Sequence, residues 1–342
     1  MLVGAGAGES PLYVDTAKAY LAGPYKGAPL SIAVVAPAVA GPLDLGNVVI
    51  RNALYLNPAT AQVRAVSDPI PTILHGILLD IRDVRVQIDR PAFTLNPTNC
   101  DPMSVGATLG GLSGQSASLS SRFQVGGCES LGFKPTLKTR LFGGTGRGAF
   151  PAFRATYEPR AGDANLKDLA LRFPRSEFIE QGHFRTICTR VQYAANSCPA
   201  GSIYGHVSAI TPLLADPLEG PVYLRSSDHN LPDVVFALHG QVDAEAVVRI
   251  DSKQGGLRAS IEGAPDVPIT KVTLDMQGGQ KGLFVNSRDL CASTFRSSLR
   301  ASAHNGAPFE SRPALANGKC GKKAKRRRAR GGPAKRSAAR NP

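Results

Sequence analysis

Tryptophan is missing from this 342-residue chain, and aromatic side chains make up only 6% of it. Binders that stack bases or sugars rely on clustered aromatics, so that class is disfavoured. No run of eighteen apolar residues occurs, which leaves no candidate for a membrane-crossing helix. The opening MLVGAGAGESPLYVDTAKAY has no basic start and no apolar stretch, so it does not read as a secretory signal. Catalytic signatures are missing as well. There is no G-x-S-x-G nucleophile elbow, no H-E-x-x-H, no phosphate loop ending in Lys-Ser/Thr and no D-x-D-x-D-G calcium loop. The six cysteines form no C-x2-C pair, which argues against zinc. No cofactor and no metal site is expected.

What the chain has in quantity is glycine (36) and proline (26), spread throughout. They punctuate short segments, which suits strands and turns better than long helices. Hydrophobic residues at 42% and charged residues at 19% are enough for a packed core. The length allows about two domains. The net charge of +14 is unevenly placed. Eleven Lys or Arg and no acid lie between Lys319 and Arg340, which accounts for all but three of those charges. The body is therefore nearly neutral and the basic character belongs to one end. Residues 321–342 have the composition of a disordered tail. Polyanion contacts are expected from Lys322, Lys323, Lys325, Arg326, Arg327, Arg328, Arg330, Lys335 and Arg336, by counterion release and without sequence specificity.

Cysteine spacing organises the rest. Cys100 and Cys128 are 28 apart, Cys291 and Cys320 are 29 apart, and Cys188 and Cys198 are ten apart. Two matched long bridges and one short one are expected, although six cysteines allow fifteen pairings. An internal repeat runs parallel to this spacing. Gly4, Ser10-Pro11-Leu12 and Tyr20-Leu21 recur as Gly205, Thr211-Pro212-Leu213 and Tyr223-Leu224. Ile70-Pro71 recurs as Val267-Pro268, and Ile81, Val84, Val86, Ile88 as Ile269, Val272, Leu274, Met276. Leu95-Asn96 before Cys100 matches Val285-Asn286 before Cys291. Residues 1–132 thus read as one repeat shortened at its start, 133–320 as a complete one, and 321–342 as the tail. The shortening implies further chain upstream, where a signal peptide would lie, so the cysteines rather than the first residues indicate the compartment: extracellular or cell surface.

Strand signals, short and β-branched, fall at 30–35, 47–56, 61–66, 81–88 and 117–125. In the second copy they fall at 136–141, 152–157, 166–173, 203–210, 222–225, 234–238, 246–251, 256–262, 269–276 and 298–303. One short helix is predicted from Phe184, Ile187, Val191 and Ala194, carrying Cys188 and ending near Asn196. The expected class is all-β, with tandem immunoglobulin-like or jelly-roll-like sandwich domains.

The stretches GPYKGAPLSIAVVAPAVAGPLDLGNVVIR, VSDPIPTILHGI, RPAFTLNPTNCDP, YAANSCPAGSIYGHVSAITPLL and LEGPVYL resemble a group of uncharacterised secreted repeat proteins of high-GC actinobacteria. The resemblance covers most of residues 20–320. It implies export and tandem β-rich domains, and it implies no chemistry.

Candidates for chemistry are few. Asp228-His229 sits in a polar loop, Ser226 to Asn230, where a hydrolytic site could be built. The first copy has Lys26-Gly27 there and no histidine, so a solvated turn is the better reading. Gly143 to Gly148 reads as a hairpin loop. Asp80, Asp83 and Asp89 alternate with Arg82, Arg85 and Arg90, as cross-strand charge pairs on a wet face would. The expectation is a non-enzymatic extracellular or cell-envelope structural or adhesive protein. Its tail would contact anionic wall polymer or another polyanion, with no specific nucleic acid. The alternatives are a module binding polysaccharide or protein, a hydrolase with an unrecognised site, and an intracellular nucleic-acid binder with reduced thiols.

Overall fold

The computed structural model describes residues 2–5, 12–14, 16–40, 42–88, 90–91, 93–253, 256–318 and 320. The nine tail residues expected to contact polyanions, Lys322 to Arg336, lie outside the described residues. So do Asp89 and the Ser10-Pro11 repeat anchor. The protein is all-β with one α-helix, and it divides into compact units at 1–96 and 97–342. The division falls well before the boundary expected at 132/133, because residues 97–132 pack within the second unit.

The first unit contains β1 (Leu2–Ala5), β2 (Leu12–Val14), β3 (Lys18–Ala22), β4 (Leu30–Ala40), β5 (Leu43–Leu56), β6 (Val63–Ser67), β7 (Ile73–Leu74), β8 (Ile77–Leu78) and β9 (Ile81–Arg85). An antiparallel meander runs β3-β4-β5-β6, and β1 is held between β2 and β9. The interior is built of small residues, with Ala28, Ser31 and Ala53 almost wholly buried. The Lys26-Gly27 turn is a tight left-handed corner, φ 49° and 79°, whose lysine pairs with Asp68 at 2.5 Å.

The second unit contains β10 (Met103–Gly110), β11 (Ser116–Phe123), β12 (Thr136–Phe142), β13 (Ala152–Glu158), β14 (Leu166–Arg172), β15 (Glu177–Ile179), α1 (Arg190–Ala194), β16 (Ile203–Ile210), β17 (Leu218–Arg225), β18 (Asp233–Leu238), β19 (Ala244–Lys253), β20 (Gly256–Ile261), β21 (Lys271–Met276), β22 (Phe284–Asn286), β23 (Ser298–Ala303), β24 (Pro308–Ser311) and β25 (Leu315–Asn317). Twelve of these strands form one sheet in the order β24-β23-β14-β20-β19-β18-β17-β16-β21-β13-β12-β25. The sheet curls on itself, since Phe153 of β13, Leu274 of β21, Val234 of β18 and Leu257 of β20 line one interior cavity. In β17 every second residue faces inward, from Leu218 to Leu224. β18 is buried along its whole length, so its apolar run Val234 to Leu238 does not alternate. Phe153, Phe173 and Phe284 meet with ring centroids 5.0–5.5 Å apart and anchor the core.

Each unit contains a four-stranded antiparallel meander, β3 to β6 and β17 to β20, and β1 pairs β9 as β16 pairs β21, but β16 also joins its meander through β17 whereas β1 and β3–β6 lie in separate sheets. Register differs: Gly4 faces Asp83, whereas Gly205 faces Met276 and not Lys271, the counterpart of Asp83 in the sequence alignment. Both anchors need glycine. A Cβ on Gly205 would lie 2.4 Å from the Asp275 carbonyl oxygen, and one on Gly4 would lie 2.9 Å from the Tyr13 ring.

Two expectations are corrected. The helix is five residues long and begins after Thr189, so Cys188 precedes it. Thr189 and Gln192 form a capping box, which fixes that start. Cys188 instead bridges to Arg225 in parallel. Of the charges near 80–85, Arg82 pairs with Asp80 at 3.4 Å and Arg85 with Asp83 at 2.7 Å, both along the chain. Strands β1, β2 and β3 are only three to five residues long, too short to show a pattern, and Ser104, Gly106 and Gly110 lower the strand propensity of β10.

Residues 97–132 are anchored at both ends, by the Asp266 carboxylate at the start and by Asn305 Nδ2, which donates to the Cys128 and Leu131 carbonyls (both 2.9 Å), at the end. Asp266 accepts hydrogen bonds from the Thr98 amide (2.7 Å) and hydroxyl (2.6 Å), from the Asn99 amide (3.1 Å) and side chain (2.9 Å), and from Asn165 Nδ2 (2.8 Å). Burial pushes this carboxyl up, and the bonds from Thr98, Asn165 and Asn99 outweigh it, so it is held below its ordinary value. Its stabilisation is therefore present above the usual carboxylate range and lost as pH falls through the lowered folded value. Asp266→Ala is expected to cost about 2 kcal/mol by leaving these donors unpaired. It should also speed trypsin cleavage at Arg122; unchanged stability and unchanged cleavage would show that the anchor is dispensable.

Candidate functional site

The loop between β17 and β18 holds the one sequence-derived catalytic candidate. His229 Nε2 lies 2.9 Å from Asp233 Oδ1, and Arg225 approaches the same carboxylate at 3.6 Å. His229, Asp233 and Arg225 are largely buried, 15% or less exposed at their side chains. Ser227 Oγ donates to the Leu231 carbonyl (2.6 Å) and lies 3.0 Å from the His229 carbonyl; its bonds go to backbone, not to the imidazole. A nucleophile–base pair therefore does not form here. Asp228 is exposed and sits 3.5 Å from Arg190. A backbone hydrogen bond and then Arg190 hold its carboxyl below the usual range. The loop is a structural clasp. Arg225 also lies 5.1 Å from the Tyr193 ring centroid, linking the clasp to α1, and Cys188–Cys198 closes the same corner.

A second group was not visible in the sequence. Glu177 is completely buried, and neither carboxylate oxygen has a hydrogen-bond partner. Burial pushes its carboxyl up to about 7. Directly opposite it across β15–β22 is Asn286, also completely buried, whose Oδ1 is unpartnered too. Opposed residues share a face of the ladder, so both side chains leave β15–β22 on the same side. Asn286 Nδ2 donates to the carbonyls of Gly144 (3.0 Å) and Gly146 (3.1 Å). The Gly143 to Gly148 hairpin loop is thus pinned to β22. The recurrence of an apolar-Asn step before Cys100 and Cys291 was the one available signal for Asn286. Nothing marked Glu177, since a single acid between Ser176 and Phe178 reads as a surface residue. A carboxyl titrating near neutrality can act as general acid or base, but only where substrate reaches it. Glu177 has no exposed surface to offer.

The neighbouring cavity does not supply access. It measures about 70 Å³ and is lined by apolar side chains including Phe153, Ile179, Leu257 and Phe284. Small-molecule sites are several times larger, so this is a packing defect that stays dry. A shallower groove of about 470 Å³ runs over β12, β13 and β25. It carries Lys138, Arg140 and Arg154. Arg140 and Arg154 are directly opposed across β12–β13, and both guanidinium groups lie over the Phe142 ring, at 4.7 and 5.5 Å. Arg154 is paired with Asp275, and Lys138 with Glu158 at 2.9 Å. These carboxylates offset two of the three positive charges that the groove carries. Cys320, where the basic end begins, follows three residues after β25 on the groove's border.

All six cysteines are bridged as the spacing predicts: Cys100–Cys128, Cys188–Cys198 and Cys291–Cys320, with Cα separations of 5.7, 5.2 and 5.6 Å. Cys100, Cys128 and Glu129 lie close enough to hold a metal ion, but the two sulfurs are bonded to each other and offer no thiolate. Among the described residues no helix is long and apolar enough to cross a membrane. Comparison with family models, with curated proteins and with solved structures returns no match to this chain.

Proposed function

We propose that this protein is a non-enzymatic structural or adhesive component of the extracellular space or cell envelope, built from two copies of one β-rich module, whose basic end contacts an anionic surface. The observation that carries this reading is the pairing of all six cysteines in three bridges, each closing a loop of at most 29 residues. Such bridges persist in oxidising compartments and not in a reducing cytosol. The charge distribution supports the second half: a nearly neutral body, eleven basic residues between Lys319 and Arg340, and the Arg140–Arg154 groove beside the point where they begin. Such a run of basic residues would attract a polymer bearing phosphate or carboxylate groups.

Binding of the full chain to purified wall fractions and anionic vesicles tests this reading. Affinity is expected to fall by about tenfold or more between ~50 and ~200 mM salt. Replacing Lys322, Lys323, Lys325, Arg326, Arg327, Arg328, Arg330, Lys335 and Arg336 by Gln should remove most of it. Binding that survives the replacement would point to the loops of the sandwich and to a polysaccharide- or protein-binding module instead. Six free thiols in protein taken from its native source would reject the compartment.

A further inference from the structure

We propose that the β15–β22 ladder carries a site for a hard metal cation, sodium or calcium, held by oxygen atoms of Glu177, Asn286 and Ser176. Both carboxylate oxygens of Glu177, the Asn286 Oδ1 and the Ser176 Oγ are buried and have no hydrogen-bond partner. Glu177 and Asn286 have no exposed surface, and Ser176 is only 2% exposed. Buried polar atoms are normally paired, so orphans gathered on one short ladder call for a partner that is not a protein group. Burial raises the Glu177 carboxyl, and the Ser176 hydroxyl is close enough to draw it partway down, which places that hydroxyl beside the carboxylate.

What these oxygens lack is positive charge. Glu177 and Asn286 are directly opposed and leave the ladder on the same side. Opposed Cβ atoms stand about 4.5–5.5 Å apart, a gap that one ion with ligand bonds of about 2.3–2.6 Å spans. The Asn286 amide cannot turn to offer a donor instead. Its Nδ2 is committed to the Gly144 and Gly146 carbonyls, at 3.0 and 3.1 Å, which fixes Oδ1 as the free end. Among the described residues no Lys, Arg or His pairs with Glu177. A buried water would donate to two of these oxygens at most and leave the charge on Glu177 unbalanced. A cation satisfies the acceptors and the charge together. A ligand set made only of oxygen selects hard cations over zinc or copper. Magnesium keeps several waters, and this site has no exposed surface to hold them. One carboxylate matches the single charge of sodium, while calcium is the divalent ion that oxygen sites of this kind take up.

The Gly143 to Gly148 loop covers Asn286. Besides the two bonds from Nδ2, the Asn286 amide donates to the Ala149 carbonyl (3.0 Å), and the Gly148 amide donates to the Asn286 carbonyl (2.7 Å). Gly143 and Gly148 bracket the loop at φ 83° and 76°, where a side chain would be strained. Opening of this loop is the entry path, so loading is slow and the ion, once in, holds the loop shut. The inference does not depend on the proposed function, because the basic end takes no part in it.

The test uses the full, oxidised chain at pH 8, equilibrated in choline chloride as the metal-free reference and then in sodium chloride or calcium chloride at equal ionic strength. One of the two metal salts is expected to raise the melting temperature of the second unit, by about 5–10 °C when the ion is in hundredfold excess over its dissociation constant. Equilibrium dialysis should find one ion more on the parent than on Glu177→Gln, which keeps the shape of the side chain and removes its charge. Glu177→Gln should also lose the shift. Its stability relative to the parent is a separate quantity, measured without metal salts. Glu129→Gln removes the exposed carboxylate beside Cys100–Cys128 and is the control; it should keep both the shift and the ion. A shift with sodium alone identifies the monovalent ion, and a shift at far lower calcium concentration identifies the divalent one. The proposal is overturned if neither salt moves the parent beyond choline chloride, or if Glu177→Gln shifts and binds as the parent does.

Discussion

At pH 8 the Glu177→Gln variant is expected to be more stable than the parent by about 3 kcal/mol. Glu177 is completely buried with both oxygens unpartnered, and its carboxyl titrates near 7 in the fold against an ordinary value of 4.5. A raised folded value means that the native state binds the proton more tightly than the unfolded chain. The parent is therefore at its best below about pH 4.5 and loses stability as pH rises through 7, where ionisation leaves a bare charge in the core. Gln has the same shape and no charge, and its amide can donate to the orphan Asn286 Oδ1 across the ladder. Urea unfolding at pH 4 and pH 8 checks this: the two proteins should match at pH 4 and diverge at pH 8. Equal stability at both pH values would mean that Glu177 finds a partner or water in solution. A variant less stable at pH 8 would mean that the ionised form is the one the fold selects.

Much of the architecture was legible because alternation and turn residues are local signals. β16 was read in full from Ile203 to Ile210, and β23 from Ser298 to Ala303. The cysteine pairing followed from two spacings that match within one residue. The helix was misread because Phe184, Ile187, Val191 and Ala194 share a period without sharing a face. Phe184 lines the cavity and Val191 is 79% exposed. The better signal was Thr189 with Gln192 three residues on. β10 was missed because Gly106 and Gly110 weaken a strand on propensity scales while its register with β11 supplies what propensity does not. Glu177 could not be found in sequence at all, and Asn286 only as a recurring apolar-Asn step, since their significance lies in a pairing across more than a hundred residues. Asp266 shows the same limit. It is one acid among 26 until Thr98, Asn99 and Asn165 converge on it.

Removing the Cys291–Cys320 bridge as a double Ala variant is expected to cost the second unit about 3–4 kcal/mol. The estimate comes from the 29-residue separation and treats the bridge as a constraint on the unfolded chain. For a unit of this size it corresponds to a fall of roughly 10 °C in melting temperature. The Cys188–Cys198 loop is shorter, with a separation of ten, and should cost about 2.7 kcal/mol. Cys100–Cys128, with a separation of 28, separates two physical pictures. If its hairpin unfolds together with the unit, deleting it should cost as much as deleting Cys291–Cys320. The β10–β11 face is exposed and the two strands form a sheet of their own, so the hairpin can open while the curled sheet stays intact. Its bridge should then leave the main melting transition nearly unmoved and slow local exchange of the β10 and β11 amides instead. Cys291–Cys320 has no such freedom, because Leu315–Asn317 lies inside its loop and pairs in parallel with β12 at the end of the twelve-stranded sheet. Calorimetry of the two double variants, with amide exchange on β10 and β11, decides between these pictures. An equal fall in both would show that residues 97–132 are an integral part of the second unit's cooperative core.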